Sequence, residues 1–281
     1  MSNLRLLYNT LFEQATLALD PATGAEEPGW PVTNLQSTIL SEAWKCPLGA
    51  VRILIDLGAA QALSGLGLAS HDLLAAAGVT VRAYADAWAT EVWSQEFEVV
   101  GPIQGWLDGG WLGGGWLGYP AADDQILYPR VTSLLVFERL VGARWLAIDI
   151  DNGQPFYIGR MFLGEMFAPA LNFSLDPKIT PEHDIKTDSS LGGVDFADEG
   201  SKYLSCKLTL PQLSRGEAIG GAFWQVARYV GRSKHFILQL YSDNAKIGHT
   251  TTMVARFEQN PAVQGWGPDH FRAPFEAREM V

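Results

Sequence analysis

Between Val51 and about Gly164, apolar residues recur at every second position in short runs broken by Gly, Pro, Asn and Asp. That is the period of half-buried strands. Val51-Arg-Ile-Leu-Ile-Asp-Leu57 places Val51, Ile53, Ile55 and Leu57 on one face, and Gly58 closes the run. Val79–Ala85, Leu134–Glu138, Ala143–Asp149 and Phe156–Leu163 extend the series, with Asp151-Asn-Gly-Gln-Pro155 predicting a hairpin turn before the last. Many short strands without a long helix predict an antiparallel β-sandwich.

The pattern changes after Phe167. Ala168 to Asn172 reads as a linker, and the polar stretch from Asp176 to Gly200 reads as loop with one or two edge strands. Leu204–Leu210 alternates again, with Leu204, Cys206, Leu208 and Leu210 facing inward. A helix follows, opened by a capping box in which Ser214 is the N-cap and Glu217 lies three residues on. Its apolar stripe runs Ala218, Ile219, Ala222, Phe223, Val226, Ala227, Val230, and Gly231 stands where a C-terminal glycine cap belongs. Phe236–Tyr241 and Thr252–Phe257 predict further strands, and Pro274–Met280 an edge strand. The expected architecture is mainly β: a sandwich over residues 1–167, then a smaller α+β domain over 168–281 with one amphipathic helix.

Composition narrows the function classes. A formal charge of -11 disfavours nucleic acid, because a broadly acidic surface gains nothing from counterion release. The longest uncharged runs, Leu57–Ser70 and Gly109–Ala122, fall short of a membrane span. No charged-then-apolar signal opens the chain, so synthesis in the cytoplasm is expected. Cys46 and Cys206 lie far apart and predict two free, buried thiols, with no cysteine-based metal site.

The most unusual stretch is Gly105 to Tyr119, where Trp-Leu recurs every five residues at Trp106, Trp111 and Trp116 among glycines. Neither strand nor helix has that period, so it reads as an insertion loop. Three Trp on such a loop, with Asp108 and Tyr119, either contact a partner or a sugar face, or fold back over their own sandwich. His71-Asp72 resembles half a catalytic relay, but no nucleophile elbow or Cys/His pair completes it. Asp149-Ile-Asp-Asn-Gly153 begins like a calcium loop, yet Arg160 stands where the bidentate acid belongs. His183, His235, His249 and His270 lack metal-ligand spacing. Asp123-Asp124 and Asp195, Asp198, Glu199 sit in Gly-rich or polar stretches that do not hold two acids across a cleft. No catalytic residue, cofactor or metal is expected.

Read in order, Trp30-Pro-Val-Thr-Asn-Leu35, Ser41-Glu-Ala-Trp44, Val51 to Gly58, Val79-Thr-Val-Arg82 and Ala143 to Asp149 resemble the discoidin family of galactose-binding-like jelly rolls. The run Ala143 to Gly164 is similar to discoidin-like modules of bacteriophage tail and baseplate proteins. The resemblance implies that His71 and Asp72 sit on the loop after a strand over Leu63–Ala69. It departs from secreted discoidin domains in lacking their disulfide, since this half holds only Cys46. The expected role is a structural, non-enzymatic component of a phage or phage-like tail. It would be assembled in the bacterial cytoplasm as a homo-oligomeric ring with other tail proteins, and make contact with the host surface. The alternative is a lectin-like module in which Trp106, Trp111 and Trp116 stack on a glycan while His71, Asp72 and Asp108 orient it.

Overall fold

The computed structural model describes residues 4–8, 12–24, 26–74, 77–99, 131–174, 177–189, 195–243, 251–267 and 269–280, with backbone alone over 184–199. The chain is mainly β and divides into two compact units, one of Arg5–Met166 with Phe236–Thr252, the other of Met1–Leu4, Phe167–His235 and Met253–Val281. The sequence places the switch at Phe167. It does not anticipate that the chain returns to the first unit after His235.

In the first unit the strands are β1 (Arg5–Tyr8), β2 (Thr16–Leu19), β3 (Trp44–Cys46), β4 (Ala50–His71), β5 (Gly78–Tyr84), β6 (Glu91–Glu98), β7 (Val131–Asp151) and β8 (Phe156–Gly164). They pair antiparallel in the order β3-β8-β4-β7-β5-β6, with β2 on β4. Long β4 and β7 each span what the sequence divides into two strands. Gly58 does not end β4: its φ of +75° and its N–H, donated to Asp56 Oδ1, accompany a break in the β4–β7 register between Asp56 and Gln61. A bulge bends paired strands rather than ending them. Past it, one stretch carries β2, β5 and β6 and the other carries β8 and β3. Their side chains share one core, in which Val51, Ile53, Ile55, Val79, Val81 and Ile148 meet Leu66, Leu68, Leu135 and Met161. The result is the antiparallel sandwich expected.

On the other side of β4, Gly65 and Gly67 leave room for the pair formed by β1 and the late strand β12 (Phe236–Gln239). A Cβ at Gly67 would collide with Ile237 and lie 3.3 Å from Leu7. The Asp151–Pro155 segment is a corner and not a hairpin, because β7 and β8 both border β4 and not each other. Gly153 there has φ +69°.

An ionic row crosses the polar face: Asp20, Arg52, Asp149, Arg82 and Glu91 alternate in sign. Asp149, from the calcium-like run, is thereby spent on two arginines. Burial pushes its carboxyl up, but the hydrogen bonds from Arg52 and Arg82 outweigh that and leave it below the usual range. Nearby, Arg144 grips Asp56 through both oxygens at 2.7 and 2.9 Å and holds its carboxyl down from 3.8 to about 2. A depressed carboxyl stabilises the fold above its unfolded value and ceases to do so as pH falls through the folded one. Acid unfolding should therefore gain a component between 3.8 and about 2. In Asp56→Asn, urea titrations across that window should show a shallower loss of stability than the wild type; an equal slope would remove the assignment.

The second unit begins at the end of β9 (Met166–Phe167), followed by β10 (Lys178–Ser189), β11 (Asp195–Ser214), α1 (Arg215–Ala218), α2 (Ala222–Val230), β13 (Thr252–Phe257), β14 (Gln264–Gly265) and β15 (His270–Glu279). β10 and β11 form a long hairpin where the sequence suggests mostly loop. β15 pairs β11 along its length, with β14 and β13 on its other side. It is thus not an edge strand throughout. Pro274, which has no N–H to donate, faces Thr209 of β11 and lies between the stretches paired with β14 and β13. The capping box at Ser214 and Glu217 forms as the sequence predicts. The single helix does not. Gly220 takes φ +75°, and Gly221 packs so tightly on the carbonyl of Gly216 that no side chain fits, which splits it in two. α2 ends at Gly231, whose φ is +52°. Cys46 and Cys206 are free and buried, and burial pushes the Cys206 thiol up to about 12.

Candidate functional site

Trp106, Asp108, Trp111, Trp116 and Tyr119 lie outside the described residues, as do Asp123, Asp124 and His249. The sandwich end from which that segment leaves and to which it returns is described, and His71 and Asp72 sit there. β4 runs on through His71, so His71 is a strand residue and not a loop residue. It is 2% exposed, and its Nε2 stands 2.9 Å from Oγ of Ser133, itself 4% exposed. The backbone explains the inward turn: Ser70 holds a left-handed φ of +53° at a break in the β4–β7 register between Ala69 and His71. Such strain in a residue with a side chain costs about 1–2 kcal/mol. Gly159 accommodates it, since a Cβ there would lie 2.9 Å from Ser70 Cβ and 2.7 Å from the Leu40 carbonyl.

His71 is therefore corrected from a ligand-orienting loop residue to a core residue. Asp72 is half-buried and bound to backbone: its Oδ1 accepts from Tyr157 N–H at 2.7 Å, and its own N–H points to the Tyr157 carbonyl at 3.4 Å. Burial pushes its carboxyl above the usual range despite the Tyr157 N–H. Ser133, His71 and Asp72 are not aligned as a relay, because the carboxylate engages Tyr157 and the Ser–His contact is enclosed. Sequence reasoning missed Ser133, which has no motif around it.

From Asp72 the hydrogen bonds continue through the end loops. Leu74 N–H donates to Oδ1 of buried Asn152 at 2.8 Å, and Asn152 Nδ2 donates to the Gln154 carbonyl at 3.0 Å. The Asn152 and Gly153 N–H groups converge on the Gly49 carbonyl at 2.7 and 3.1 Å. A Cβ at Gly49 would meet the Gly153 backbone at 2.7 Å, so that strand start needs glycine. Ala77 N–H donates to the Leu74 carbonyl at 3.0 Å, and Val99 N–H to the Ala77 carbonyl at 3.2 Å. On the return side, Val131 pairs with His71. Val99 is thus tied through Ala77 to Leu74, and Val131 to His71 at the end of β4.

Among the described residues, no group of three His, Cys, Asp or Glu side chains is placed to hold a metal ion. No described helix is long and apolar enough to cross a membrane.

These features define a mainly β protein built on an antiparallel sandwich. No known family matches the chain, and no curated protein sequence does. Its sandwich is similar to several solved carbohydrate-binding modules. The lectin domain of lectinolysin complexed with Lewis B antigen is 12% identical, with 58% of this chain and 100% of that one covered and a TM-score of 0.34. The family 32 carbohydrate-binding module of Clostridium perfringens NanJ, solved with galactose, is 12% identical over 58% of this chain and 99% of its own, with a TM-score of 0.36. A chitosan-binding module from Paenibacillus sp. IK-5 is 11% identical over 56% and 98%, with a TM-score of 0.37. Likenesses of this size assign neither a ligand nor a role.

Proposed function

We propose that the protein is a glycan-binding module whose sugar contacts come from Trp106, Trp111 and Trp116. One observation supports this reading: of the residues that flank the segment, Val99 is linked through Ala77 to Leu74 and Val131 pairs with His71, so both belong to one end of the same compact unit. Loops held by a rigid scaffold commonly carry binding. Indoles offer flat apolar faces to sugar rings, and the same stretch of sequence carries the hydrogen-bonding groups of Asp108 and Tyr119. His71 and Asp72 brace the roots of the segment and are not ligand contacts. No catalytic role is included. The test is a glycan array probed with the wild type and with Trp106, Trp111 and Trp116 all changed to Ser. The wild type is expected to bind a defined set of glycans and the variant to lose it, at unchanged oligomeric state.

A second reading is a structural component of a phage-like tail that forms a ring and meets the host surface. The resemblance carried by Ala143–Gly164 favours it. It requires a closed homo-oligomer. Light scattering behind size exclusion over a wide concentration range would then give a defined ring mass, and a strict monomer would exclude self-assembly.

A further inference from the structure

The second unit carries an aromatic surface that neither reading uses. β15 alternates strictly: Phe271, Ala273, Phe275 and Ala277 turn toward the interior, and His270, Arg272, Pro274 and Glu276 turn outward. β14 adds to the outward face, because Gln264 stands opposite Arg272 and the Trp266 N–H donates to the His270 carbonyl at 3.1 Å. Trp266 is 61% exposed, the second most exposed of the large apolar side chains described. It does not hang free. The His270 ring lies 5.6 Å away and tilted by 32°, and Gln212 Nε2 stands 3.4 Å from His270 Nδ1, so the indole is braced on one side. Arg272 Nε donates to Gln264 Oε1 at 2.9 Å, which fixes that amide.

Along the same face runs an open cleft of about 450 Å³, whose wall includes Gln264, Gln259, Asn260, Thr209, Lys207 and Glu276. Lys207 Nζ is paired with Glu276 Oε1 at 2.5 Å, and Lys178, opposite Lys207 in the β10–β11 register, adds a further cation to the wall. A ligand there also meets amide and hydroxyl hydrogen-bonding groups, and Gln264 of the wall lies two residues along the chain from the exposed indole. From His270 to Glu276 the strand covers about 20 Å, room for several linked rings. A neutral polyhydroxylated chain matches this chemistry: its ring faces pack on the indole, and its hydroxyls exchange hydrogen bonds with Gln259, Asn260 and Gln264 and accept from the Lys178 ammonium. An acidic polymer would meet a chain of formal charge -11.

We propose that this outer face of β11, β14 and β15 is a binding site for a neutral oligosaccharide, with Trp266 as the stacking platform and the amides of the cleft as the orienting wall. It does not depend on the sandwich-end reading. The probes are neutral cello-, chito-, manno- and galacto-oligosaccharides, with oligogalacturonate as the acidic comparison, titrated into the full chain. The readout is the Trp266 indole N–H signal, assigned through Trp266→Phe; the signals of Trp106, Trp111 and Trp116 in the same spectra report separately on the sandwich end. At least one neutral series is expected to shift the Trp266 signal. By calorimetry Trp266→Ala is then expected to weaken that series roughly tenfold or more, and Trp266→Phe less. Circular dichroism of both variants checks their folding. The site is rejected if no neutral series moves the Trp266 signal, if Trp266→Ala binds as the wild type does, or if oligogalacturonate binds more tightly than every neutral series.

Discussion

Replacing Trp44 with alanine is expected to destabilise the protein by about 3–5 kcal/mol, read as a lowered midpoint in urea unfolding. Trp44 is fully buried where β3 joins β8 opposite Ile158, with its indole edge-on to Phe156 at 5.6 Å. The segment before it is fastened to the same place: Asn34 Nδ2 donates to the Ala43 carbonyl at 2.9 Å, and Gln36 Nε2 donates to the carbonyls of Phe12 and Ala15 at 2.6 and 2.8 Å. Loss of the indole therefore leaves a cavity that anchored neighbours cannot readily close. The indole N–H itself finds no acceptor among the described residues. Trp44→Phe should consequently cost much less than Trp44→Ala, since it removes a buried donor along with the lost volume. Equal costs for the two variants would show that the N–H, and not the packed area, carries the stability.

The second large effect concerns charge. Arg160 is fully buried, its Nη2 donating to Glu13 Oε1 at 2.9 Å and its guanidinium lying 4.8 Å from the centre of the Phe162 ring. Glu13→Ala takes away a carboxylate from a cation that has no access to water, and is expected to cost about 3–5 kcal/mol. Arg160→Met removes the buried charge itself and keeps much of its stem volume. Its expected cost is smaller, because the Glu13 side chain retains 25% exposure through which water can reach it. Thermal unfolding of both variants checks the order. If Arg160→Met were the more damaging, the guanidinium's other contacts would outweigh the ion pair.

Neither residue was singled out by sequence reasoning in this role. Arg160 entered only as the wrong residue for a calcium loop, because nothing local marks an arginine in β8 as buried. Trp44 was legible as part of a motif, and its burial is consistent with that motif's place before β4. His71 and Asp72 were legible as a polar pair at a strand end, but their use was not. The bulge at Ser70 before His71 fits only because Gly159, distant in sequence, has no side chain there. The outward face bearing Trp266 was missed for a related reason: Pro274 suggested an edge strand, and His270 was weighed only as a metal ligand.

What the sequence determined by itself is local. Period-two spacing of apolar residues marks Val51–Leu57, Val79–Ala85 and Leu204–Leu210 as strands, since alternate side chains point to opposite faces whatever the strand pairs with. The Ser214–Glu217 box and the Gly231 cap were likewise readable, being bonds closed within a few residues. Only the tertiary structure decided which strands pair. It carried β4 through Gly58, made a corner of Asp151–Pro155, split the helix at Gly220 and returned Phe236–Thr252 to the first unit. Each of these depends on register and close approach between distant segments, such as Leu7 and Ile237 meeting Gly67. Alternation along one strand carries no information about its partner, so that choice rests with the packing of the folded chain.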